Sequence, residues 1–346
     1  MRKLASIQKI WEIEPIAGAD KIELAYVLGW KCVVNKGQFK KYDLAVYFEV
    51  DSFLPIREEF DFLRNSSYRN SQILGEGFKL RTMRFKGQIS QGLLLPISSF
   101  KELDQNIELG SDVTDILKVR KWEIEERVTT GGTVKGLLPS SIPHTDETRV
   151  QAEPTLIYHF NNIEYYISSK MDGSSHSIGI DSDGVHITGH NYEYKDDDSN
   201  DFFVYLKKQG YIEKIKDFYN RYELETLTIQ GEFCGPGIQG NPVKLIKPQW
   251  YVFNVLENGE RVDLSKMIDI CEYLGLKIVP IEEIGFNLPS HYPDVESLLK
   301  RAEGKYETGS PKEGIVIRPT KPIYCETISS SLSMKVVSNS YLLSKK

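Results

Sequence analysis

The sequence is poor in cysteine and histidine, and it has neither a long apolar run nor an excess of positive charge. Its four cysteines and six histidines are scattered without the spacing of a metal-binding motif. A zinc site and a disulfide framework are therefore not expected, and isolated thiols indicate a reducing compartment, cytoplasmic or otherwise intracellular. Because no run reaches the roughly 20 apolar residues of a membrane-spanning helix, no membrane contact is expected.

The charge and the size narrow the class of protein further. A net charge of −6 argues against binding nucleic acid by bulk charge, although it is compatible with a local basic groove. The first nine residues contain too few apolar side chains for a secretory signal. A chain of 346 residues with 40% hydrophobic content predicts two domains with separate cores, and we expect a monomer.

Residues 1–125 are predicted to form an all-β domain. Short runs of β-forming residues are broken by Gly, Pro, Asp and Asn at intervals that suit a small closed barrel. The predicted strands cover residues 5–13, 22–27, 31–34, 44–48 and 92–97. Residues 16–23, 37–47 and 81–93 resemble the OB-fold modules attached to tRNA-binding proteins, and this resemblance implies an OB-like barrel with nucleic acid on one face.

Four cations in this domain are candidates for phosphate contacts. Lys79 and Arg81 are predicted to share one strand face, and Arg84 and Lys86 another, with a phenylalanine beside each pair. The pattern fits a strip that follows the backbone of a nucleic acid, and it fits an ordinary solvated hairpin equally well.

Residues 126–148 are predicted to be a linker, because glycine, proline and serine punctuate them. Residues 149–346 form the second predicted domain, in which strands alternate with amphipathic helices. Two helices with apolar stripes are predicted behind the caps Asp263 and Asp294. The acidic run at residues 195–201 is interpreted as a solvated loop that caps the next helix, with a cation site as the alternative.

A lysine follows a predicted strand at residues 156–167 and opens a Lys-x-Asp-Gly motif. Because a protonated amine is not a nucleophile, Lys170 needs neighbouring cations, a metal or desolvation to lower its pKa. Three later stretches bring charged groups to apolar strands: Glu232 before a Gly-Pro-Gly turn, Glu313 at a strand start, and Lys335 within a strand. A lysine among Met and Val is costly to bury unless its ammonium reaches a pocket that holds phosphate.

In this order, Lys-x-Asp-Gly, Gly-Glu-Phe-x-Gly, Glu-Gly-Ile-Val-Ile-Arg and the terminal lysine strand resemble the nucleotidyltransferase motifs of ATP-dependent polynucleotide ligases and mRNA capping enzymes. Residues 235–239 look most like nick-sealing RNA ligases, and an OB-like module ahead of the catalytic domain resembles the fifth family of RNA ligases. The resemblance covers essentially the whole chain. It implies an α+β protein with an N-terminal all-β OB-like barrel and a C-terminal nucleotidyltransferase domain, ATP-grasp-like, of antiparallel sheets with flanking helices.

The resemblance also implies the chemistry. ATP is the expected substrate, Mg²⁺ or Mn²⁺ the expected cofactor, and nicked duplex RNA or an RNA/DNA hybrid the expected partner. Lys170 is expected to attack the α-phosphorus of ATP, releasing pyrophosphate and leaving a lysyl-AMP phosphoramidate. AMP is then expected to pass to the 5′-phosphate of the nick, where a 3′-hydroxyl on a ribose displaces it.

Each site residue receives a role from the same resemblance. The residues expected to act in catalysis are Lys170, Asp172, Glu232, Glu313 and Lys335. The carboxylates Asp172, Glu232 and Glu313 are expected to hold the metal, mainly through water. The expected contacts to ATP or AMP are Lys170, Gly173, Glu232, Phe253, Glu313, Lys335 and Arg149. Phe253 is expected to stack on adenine from a strand face shared with Tyr251 and Val255, and Tyr251 is the second candidate.

Two positions depart from the family pattern. Where related ligases often carry an arginine, this chain has His190 followed by Asn191. Both are expected to contact the 5′-phosphate of the nucleic acid, with a pH dependence that arginine would not show. Val337 stands where RNA ligases frequently carry a second lysine, and Arg318 or Lys79 is the candidate to replace its contact to pyrophosphate.

Three other functions share part of this pattern. A capping guanylyltransferase would carry its OB domain after the last motif, whereas only eleven residues follow Lys335. An ATP-dependent DNA ligase is a closer alternative, and the need for ribose at the 3′-hydroxyl end distinguishes it. A non-catalytic RNA-binding protein with a ligase-like domain is the third, and the intact motif residues argue against it.

Overall fold

The computed structural model describes residues 2–71, 73–122 and 132–344. Two compact units divide the chain. The N-terminal unit comprises residues 1–126, 151–154 and 345–346, and the C-terminal unit comprises residues 127–150 and 155–344. The domain limits expected from the sequence, at residues 125 and 148, stay a prediction. Within the described ranges, no helix combines the length and the apolar character needed to cross a lipid bilayer.

The N-terminal unit is built mainly from β-strands, as predicted. Its strands are β1 (Ala5–Pro15), β2 (Ile22–Val27), β3 (Trp30–Asn35), β4 (Leu44–Phe48), β5 (Ser52–Pro55), β6 (Tyr68–Ser71), β7 (Gly75–Lys79), β8 (Met83–Phe85), β9 (Gln88–Ser90), β10 (Leu93–Pro96) and β11 (Arg120–Lys121). Short helical elements are α1 (Arg64–Ser67) and the 3-10 turns Glu58–Leu63 and Ile97–Ser99. The strands form a five-stranded sheet in the order β10-β4-β1-β2-β3, a four-stranded sheet in the order β11-β5-β7-β6, and the hairpin β8-β9.

The sheets of this unit enclose two apolar cores, and β4 lies between them. Val46 and Phe48 pack into one core, while Ala45 and Tyr47 pack into the other. A strand that is buried on both faces needs apolar residues at consecutive positions rather than at alternate ones. This explains the continuous apolar run from Leu44 to Phe48, whose predicted bounds the structure confirms.

The C-terminal unit contains two main sheets, which are largely antiparallel. Its strands are β12 (Val134–Leu137), β13 (Glu164–Lys170), β14 (Ser174–Asp181), β15 (Gly184–Thr188), β16 (Tyr192–Tyr194), β17 (Leu227–Cys234), β18 (Gln249–Glu257), β19 (Glu260–Arg261), β20 (Lys277–Ile278), β21 (Ile281–Phe286), β22 (Gly314–Pro319), β23 (Tyr324–Cys325), β24 (Ser330–Ser331) and β25 (Met334–Val337). The larger sheet has the order β12-β16-β15-β14-β17-β18-β19, with β20 parallel to β18, and the smaller has the order β21-β13-β22-β25.

Helices flank these sheets, so the predicted α+β class is confirmed. They are α2 (Leu156–His159), α3 (Asp201–Gln209), α4 (Tyr211–Arg221), α5 (Leu264–Leu274), α6 (Leu288–His291), α7 (Val295–Ala302) and α8 (Asn339–Ser344), with a 3-10 turn at Glu326–Ile328. The two predicted caps are confirmed: the Asp263 side chain accepts from Lys266 N at the start of α5, and Asp294 forms a capping box with Ser297 at the start of α7.

The strand predicted at residues 156–167 is wrong in its first part. Leu156–His159 forms α2, and β13 begins only at Glu164, after a turn in which Asn162 adopts a left-handed φ of 57°. Leu156 and Ile157 are both buried. Tyr158, in contrast, is 63% exposed. A run of four residues is too short for its periodicity to separate a helix from a strand.

The acidic run at residues 195–201 is a solvated loop at the start of α3, as interpreted. Asp196 and Asp198 both pair with Lys207 of α3. The Asn200 side chain caps the same helix by accepting a hydrogen bond from Phe203 N. Charge pairing and helix capping therefore account for this segment, and the alternative of a cation site is not needed to explain it.

Candidate active site

Lys170 is the last residue of β13, and the sheet holds it opposite Gly314 of β22. Its Nζ donates a hydrogen bond to Glu313 Oε2 at 2.9 Å. The Lys170 carbonyl accepts from the Tyr306 hydroxyl at 2.6 Å, and the same hydroxyl accepts from Glu313 N at 3.1 Å. Tyr306 thus holds the backbones of both ends of the Lys170–Glu313 pair. The sequence carries no motif around Tyr306 that would have indicated this role.

The rest of the Lys-x-Asp-Gly motif turns the chain toward β17. The Asp172 carboxylate is buried and accepts from the Tyr341 hydroxyl at 2.6 Å. Gly173 N donates to Glu232 Oε1 at 3.1 Å, which brings the second acid to the motif. A Cβ on residue 173 would lie 2.4 Å from Phe233 O and 2.6 Å from Cys234 Sγ, so only glycine allows β17 to approach this closely. No motif in the sequence indicates this role for Tyr341 either.

The charges of these groups influence one another. Burial raises the pKa of Glu232, and the neighbouring Glu313 and Asp172 raise it further against the opposing effect of Lys170, to about 7. Burial lowers the pKa of Lys170, but the attraction of Glu313, Glu232 and Asp172 outweighs burial and leaves that pKa above its ordinary value. The site therefore has a deficit of positive charge, and Lys170 is an ammonium in the resting chain.

The donor set fits a hard divalent cation. Glu313 contacts the Lys170 ammonium, and Glu232 and Asp172 are near enough to raise its pKa. Within the described ranges no three His, Cys, Asp or Glu side chains converge closely enough to hold an ion directly, so contacts through water are expected. Carboxylate oxygens are the ligands that Mg²⁺ and Mn²⁺ prefer. An added positive charge here would lower the pKa of Lys170, which is the change that a nucleophilic amine requires.

Lys335 and Arg149 lie side by side on adjacent backbone segments. Lys335 N donates to Thr148 O at 2.8 Å, and Val150 N donates to Lys335 O at 3.1 Å, so Arg149 and Lys335 form a parallel bridge. Lys335 belongs to β25, which pairs with β22 and places Lys335 opposite Val316. The structure thus brings the two expected phosphate ligands together on the sheet that carries Lys170.

His190 and Asn191 lie between β15 and β16, and both are half-buried. His190 Nε2 is 3.5 Å from Asp146 Oδ2, and Asp146 Oδ1 is 4.0 Å from Lys335 Nζ. One exposed carboxylate therefore stands between the two cations that are expected to contact different phosphates. An exposed pairing of this kind is weak, and a phosphate can replace it. The sequence analysis did not single out Asp146.

Phe253 lies on β18, but its expected strand face needs correction. The pairing of β17 with β18 shifts register between Gln230 and Gly231, so that Phe253 has no partner in the register. Tyr251 and Phe253 pack against a small apolar cluster that includes Met171, whereas Val255 packs into the main core. The β-bulge reverses the alternation after residue 253, and Val255 therefore does not share the face of Phe253.

Arg318 was a candidate for pyrophosphate contact, but the structure uses it elsewhere. It is buried on β22, where it pairs with the Glu147 carboxylate. Its Nη1 donates to Phe253 O at 2.5 Å, and its guanidinium lies 5.7 Å from the centroid of the Phe253 ring. Ser333 donates to the same Glu147 carboxylate. Arg318 thus fixes the position of Phe253, and Glu147 fixes Arg318.

The four cations of the N-terminal unit occupy less regular positions than expected. Lys79 ends β7 and lies 4.8 Å above the Trp122 ring, while Arg81 comes after that strand. Arg84 is exposed on β8, and Lys86 follows β8 in a turn with a φ of 46°. The two predicted shared strand faces are therefore wrong, because the strands end before the second cation of each pair.

Comparison with known proteins identifies related sequences and structures. A family model described as RNA ligase matches residues 163–337, and a model described as an OB-fold domain matches residues 4–97. No curated protein sequence matches the chain. Among solved structures, Naegleria gruberi RNA ligase with pyrophosphate is 32% identical with a TM-score of 0.87, covering 99% of this chain and 98% of that one.

Mutants of the same Naegleria gruberi RNA ligase have been solved with nucleotides. One with ATP and Mn is 31% identical with a TM-score of 0.86, covering 98% of each chain. Another, with AMP and Mn, is 31% identical with a TM-score of 0.86, covering 99% of this chain and 98% of that one. The similarity therefore extends over both units.

Proposed function

The chain belongs to the RNA ligase family, and from this premise we propose that it seals nicks between a 3′-hydroxyl and a 5′-phosphate through a lysyl-AMP intermediate. It is an ATP-dependent RNA ligase. The observation that carries the proposal is the pairing of Lys170 with Glu313 at 2.9 Å, with Asp172 and Glu232 close enough to raise the pKa of this lysine. A lysine in such a cluster can be switched from ammonium to amine by a change in local charge.

In the first step, neutral Lys170 Nζ attacks the α-phosphorus of ATP. The N–P bond forms as the bond from that phosphorus to the bridging oxygen breaks, and pyrophosphate leaves. Lys170 must first lose a proton, and its hydrogen bond to Glu313 places an acceptor on that proton's route. Because phosphoryl transfer depends mainly on alignment and charge neutralisation, Lys335 and Arg149 are assigned to the phosphates of ATP.

In the second step, the 5′-phosphate of the nick attacks the α-phosphorus of lysyl-AMP, and Lys170 leaves. In the third step, the 3′-hydroxyl attacks the 5′-phosphate, the phosphodiester forms, and AMP is released. We assign His190 and Asn191 to the incoming 5′-phosphate. The proximity of His190 to Asp146, and of Asp146 to Lys335, supports this assignment, since it places His190 beside a proposed phosphate ligand.

The remaining parts of the site hold the nucleotide and a cation. Asp172, Glu232 and Glu313 are assigned to Mg²⁺ or Mn²⁺, which when bound would neutralise charge on the phosphates. Gly173 is assigned to the turn that lets Glu232 approach, and Phe253 to the adenine ring. Phe253 is half-buried, and it is held against the cluster that includes Met171 and beside Arg318, which supports a stacking role.

We further propose that the substrate is nicked duplex RNA or an RNA/DNA hybrid with ribose at the 3′-hydroxyl end. The four N-terminal cations Lys79, Arg81, Arg84 and Lys86 are assigned to its phosphates, since OB folds commonly bind nucleic acid. A monomer in an intracellular compartment is the proposed form. The four cysteines support this compartment, because all of them are buried free thiols.

The test is the intact mass of the protein after incubation with ATP and Mg²⁺. The native chain should gain the mass of one AMP, and Lys170→Ala should gain none. Offered nicked duplexes should then be joined only when the 3′-hydroxyl strand ends in ribose. Equal joining of a deoxyribose end would favour a DNA ligase. A native chain that neither gains AMP nor carries it after purification would favour a non-catalytic RNA-binding protein.

A further inference from the structure

Two aromatic side chains of the N-terminal unit are held out in solvent. Trp11 is 49% exposed and Tyr42 is 59% exposed, whereas Trp30 and Tyr47 of the same unit are fully buried. The unit therefore has a core that accepts large aromatic residues, and the exposure of Trp11 and Tyr42 needs its own explanation. Exposed aromatic pairs commonly mark surfaces that bind another molecule.

The backbone is distorted at both positions. The pairing of β1 with β2 shifts register between Ile10 and Glu12, so Trp11 is the extra residue of a β-bulge. Bulges redirect a side chain that would otherwise follow the alternation of the strand. Tyr42 has a φ of 76°, in the left-handed region that aromatic residues rarely adopt. Strain of this kind persists where the surrounding structure enforces it, and it concentrates at functional sites.

The two distortions meet at one residue. Tyr42 N donates to Ile10 O at 2.7 Å, and Ile10 N donates to Asp43 O at 3.0 Å. These bonds tie the strained turn to the strand immediately before the bulge. The rings of Trp11 and Tyr42 consequently pack edge to face, with centroids 6.5 Å apart and an interplanar angle of 87°.

Each ring carries a lysine. Lys9 Nζ lies 5.2 Å from the centroid of the Trp11 ring, and Lys41 Nζ lies 5.3 Å from that of Tyr42. Lys41 also pairs with Glu12, but both side chains are nearly half exposed, so this pair is weak and Lys41 can turn to another anion.

The neighbouring strands extend the same arrangement. Lys31 Nζ on β3 lies 5.4 Å from the centroid of the Tyr26 ring on β2, and the Tyr26 hydroxyl donates to Glu14. The charged side chains near the two rings are the lysines Lys9, Lys31, Lys40 and Lys41 and the acids Glu12, Glu14 and Asp43. Each acid already binds a neighbour: Glu12 pairs with Lys41, Glu14 accepts from Tyr26, and Asp43 accepts from Lys40 N. The patch is therefore net positive, although the whole chain carries a net charge of −6.

We propose that Trp11 and Tyr42 form a stacking platform for unpaired bases of an RNA strand, with Lys9 and Lys41 contacting its phosphates. A nucleic acid alternates flat bases with phosphates, and aromatic faces flanked by ammonium groups match both features. The choice of RNA as the occupant rests on the proposed function. This platform comprises residues other than the four cations Lys79, Arg81, Arg84 and Lys86.

The test measures binding of a fluorescently labelled single-stranded oligouridylate to the full chain by anisotropy, without ATP and at fixed salt. Trp11→Ala and Tyr42→Ala should each weaken binding roughly tenfold, the scale of one lost base stack. Trp11→Phe should retain most of the affinity. The matched control is Phe62→Ala, which removes an aromatic ring that is 62% exposed on the same unit and should leave binding unchanged.

Charge is tested separately by the salt dependence of binding. Lys9→Gln should reduce the slope of log affinity against log salt by about 0.7, the value for one phosphate contact on a single strand. Unchanged binding by Trp11→Ala, or an unchanged slope for Lys9→Gln, would overturn the platform. If Trp11→Ala unfolds, Trp11→Phe and Lys9→Gln decide the matter. A change in sedimentation without a change in RNA binding would assign the surface to a second copy of the chain and also overturn it.

The assay separates this proposal from the proposed function. Binding is measured without ATP, so a native chain that binds through Trp11 but never gains AMP would refute the ligase mechanism and leave the platform standing. If the native chain gains AMP and joins nicks, but the Trp11→Ala variant binds RNA as tightly as the native chain, the ligase mechanism stands and the platform is refuted.

Discussion

Two charge clusters lie on opposite faces of the end of β13, and they are built by neighbouring residues. Ser169 donates to Glu282 at 2.5 Å, while Lys170 donates to Glu313 at 2.9 Å. The two residues before β22 alternate in the same way: Lys312 pairs with Glu282, and its neighbour Glu313 pairs with Lys170. Because successive side chains of a strand point to opposite faces, the two clusters are only one residue apart in sequence and yet separate in space.

The first cluster, on the Glu282 side, is balanced in charge. Glu282 pairs with Lys312 and Arg301, and Glu283 pairs with Arg301 and accepts from Tyr165 at 2.7 Å. Burial raises the pKa of Glu282, but its hydrogen bonds to Lys312, Ser169 and Arg301 outweigh burial and bring the pKa below its ordinary value. Every charge has a partner within the protein, so this cluster serves stability.

The second cluster, around Lys170, is unbalanced. Three acids face one lysine, and the pKa of Glu232 is raised to about 7 by burial and by its acidic neighbours. The comparison teaches that composition alone does not mark an active site, since both clusters are buried and both contain lysine and glutamate. The uncompensated charge marks it, because it is stabilised only when a cation or a substrate arrives.

The largest expected effect is on catalysis, in the unbalanced cluster. Glu313→Gln keeps the shape of the side chain but removes the proposed proton acceptor of Lys170 and a proposed cation ligand, so self-adenylation should slow by a factor on the order of 10²–10³. The measurement is the rate of AMP incorporation by intact mass. The midpoint of thermal unfolding should not fall. A variant that lost stability but kept its rate of self-adenylation would show that Glu313 stabilises the fold and does not act in catalysis.

The matched substitution in the balanced cluster should have the opposite signature. Glu282→Gln leaves Lys312, which is 5% exposed, without its counter-charge, and it should lower the free energy of unfolding by about 3 kcal/mol. Chemical denaturation measures this loss. Self-adenylation per folded molecule should stay within about twofold of the native rate, and a loss as large as that of Glu313→Gln would erase the distinction between the clusters.

A smaller effect is expected on the pH dependence of stability. The pKa of Glu232 is about 7 in the folded chain and lower when unfolded, so the folded state binds the extra proton. The contribution of this carboxyl to the free energy of unfolding is fully present below its pKa in the unfolded chain, and it is lost as the pH rises to about 7. On going from pH 4.5 to pH 8, the free energy of unfolding of Glu232→Gln should therefore rise by about 1–3 kcal/mol relative to that of the native chain. Denaturation at both pH values, without added metal, measures this difference. Parallel curves for the two proteins would contradict the raised pKa.

The smallest effect is expected at His190, which pairs with Asp146 and belongs to neither cluster. His190→Ala should slow transfer of AMP to the 5′-phosphate and strand joining about tenfold, with less effect on self-adenylation, because the lost hydrogen bond concerns the nucleic acid. Single-turnover assays separate the steps, and equal loss in both would refute the assignment. His190→Arg is the matched variant: it keeps a donor for the 5′-phosphate, so its joining rate should exceed that of His190→Ala.

Much of the candidate site could be predicted because its residues lie in short motifs at strand ends. Lys170, Asp172 and Gly173 are neighbours in the chain, and Glu232 and Glu313 each stand beside a glycine that permits close backbone approach. The ordered motifs and their resemblance to a known family singled them out, and the structure brings all five together. Lys335 followed from the cost of burying a lysine among apolar residues.

Other parts of the site had no local signal. Tyr306 donates to the Lys170 carbonyl and Tyr341 donates to the Asp172 carboxylate, each from more than 130 residues away in the sequence. Both use a hydroxyl group that every tyrosine carries, so the sequence gives no sign of these contacts. Glu147 and Asp146 lie in the predicted linker. Glu147 pairs with Arg318 and Asp146 with His190, and both partners come from distant parts of the sequence. The face of Phe253 was mispredicted because a β-bulge depends on the pairing of two strands and not on either sequence alone.

By itself, the sequence determined the class of the protein and the order of its two folds, and it singled out Lys170 as the candidate nucleophile, because an ordered set of compact motifs that resembles a known family is a property of the chain alone. Tertiary structure alone decided which acids stay uncompensated. Lys312 and Glu313 are adjacent and equally charged in magnitude, yet one completes a balanced cluster and the other belongs to a cluster with an excess of acids. That difference depends on which side chains distant strands place opposite each one, since electrostatic energy depends on distance in space.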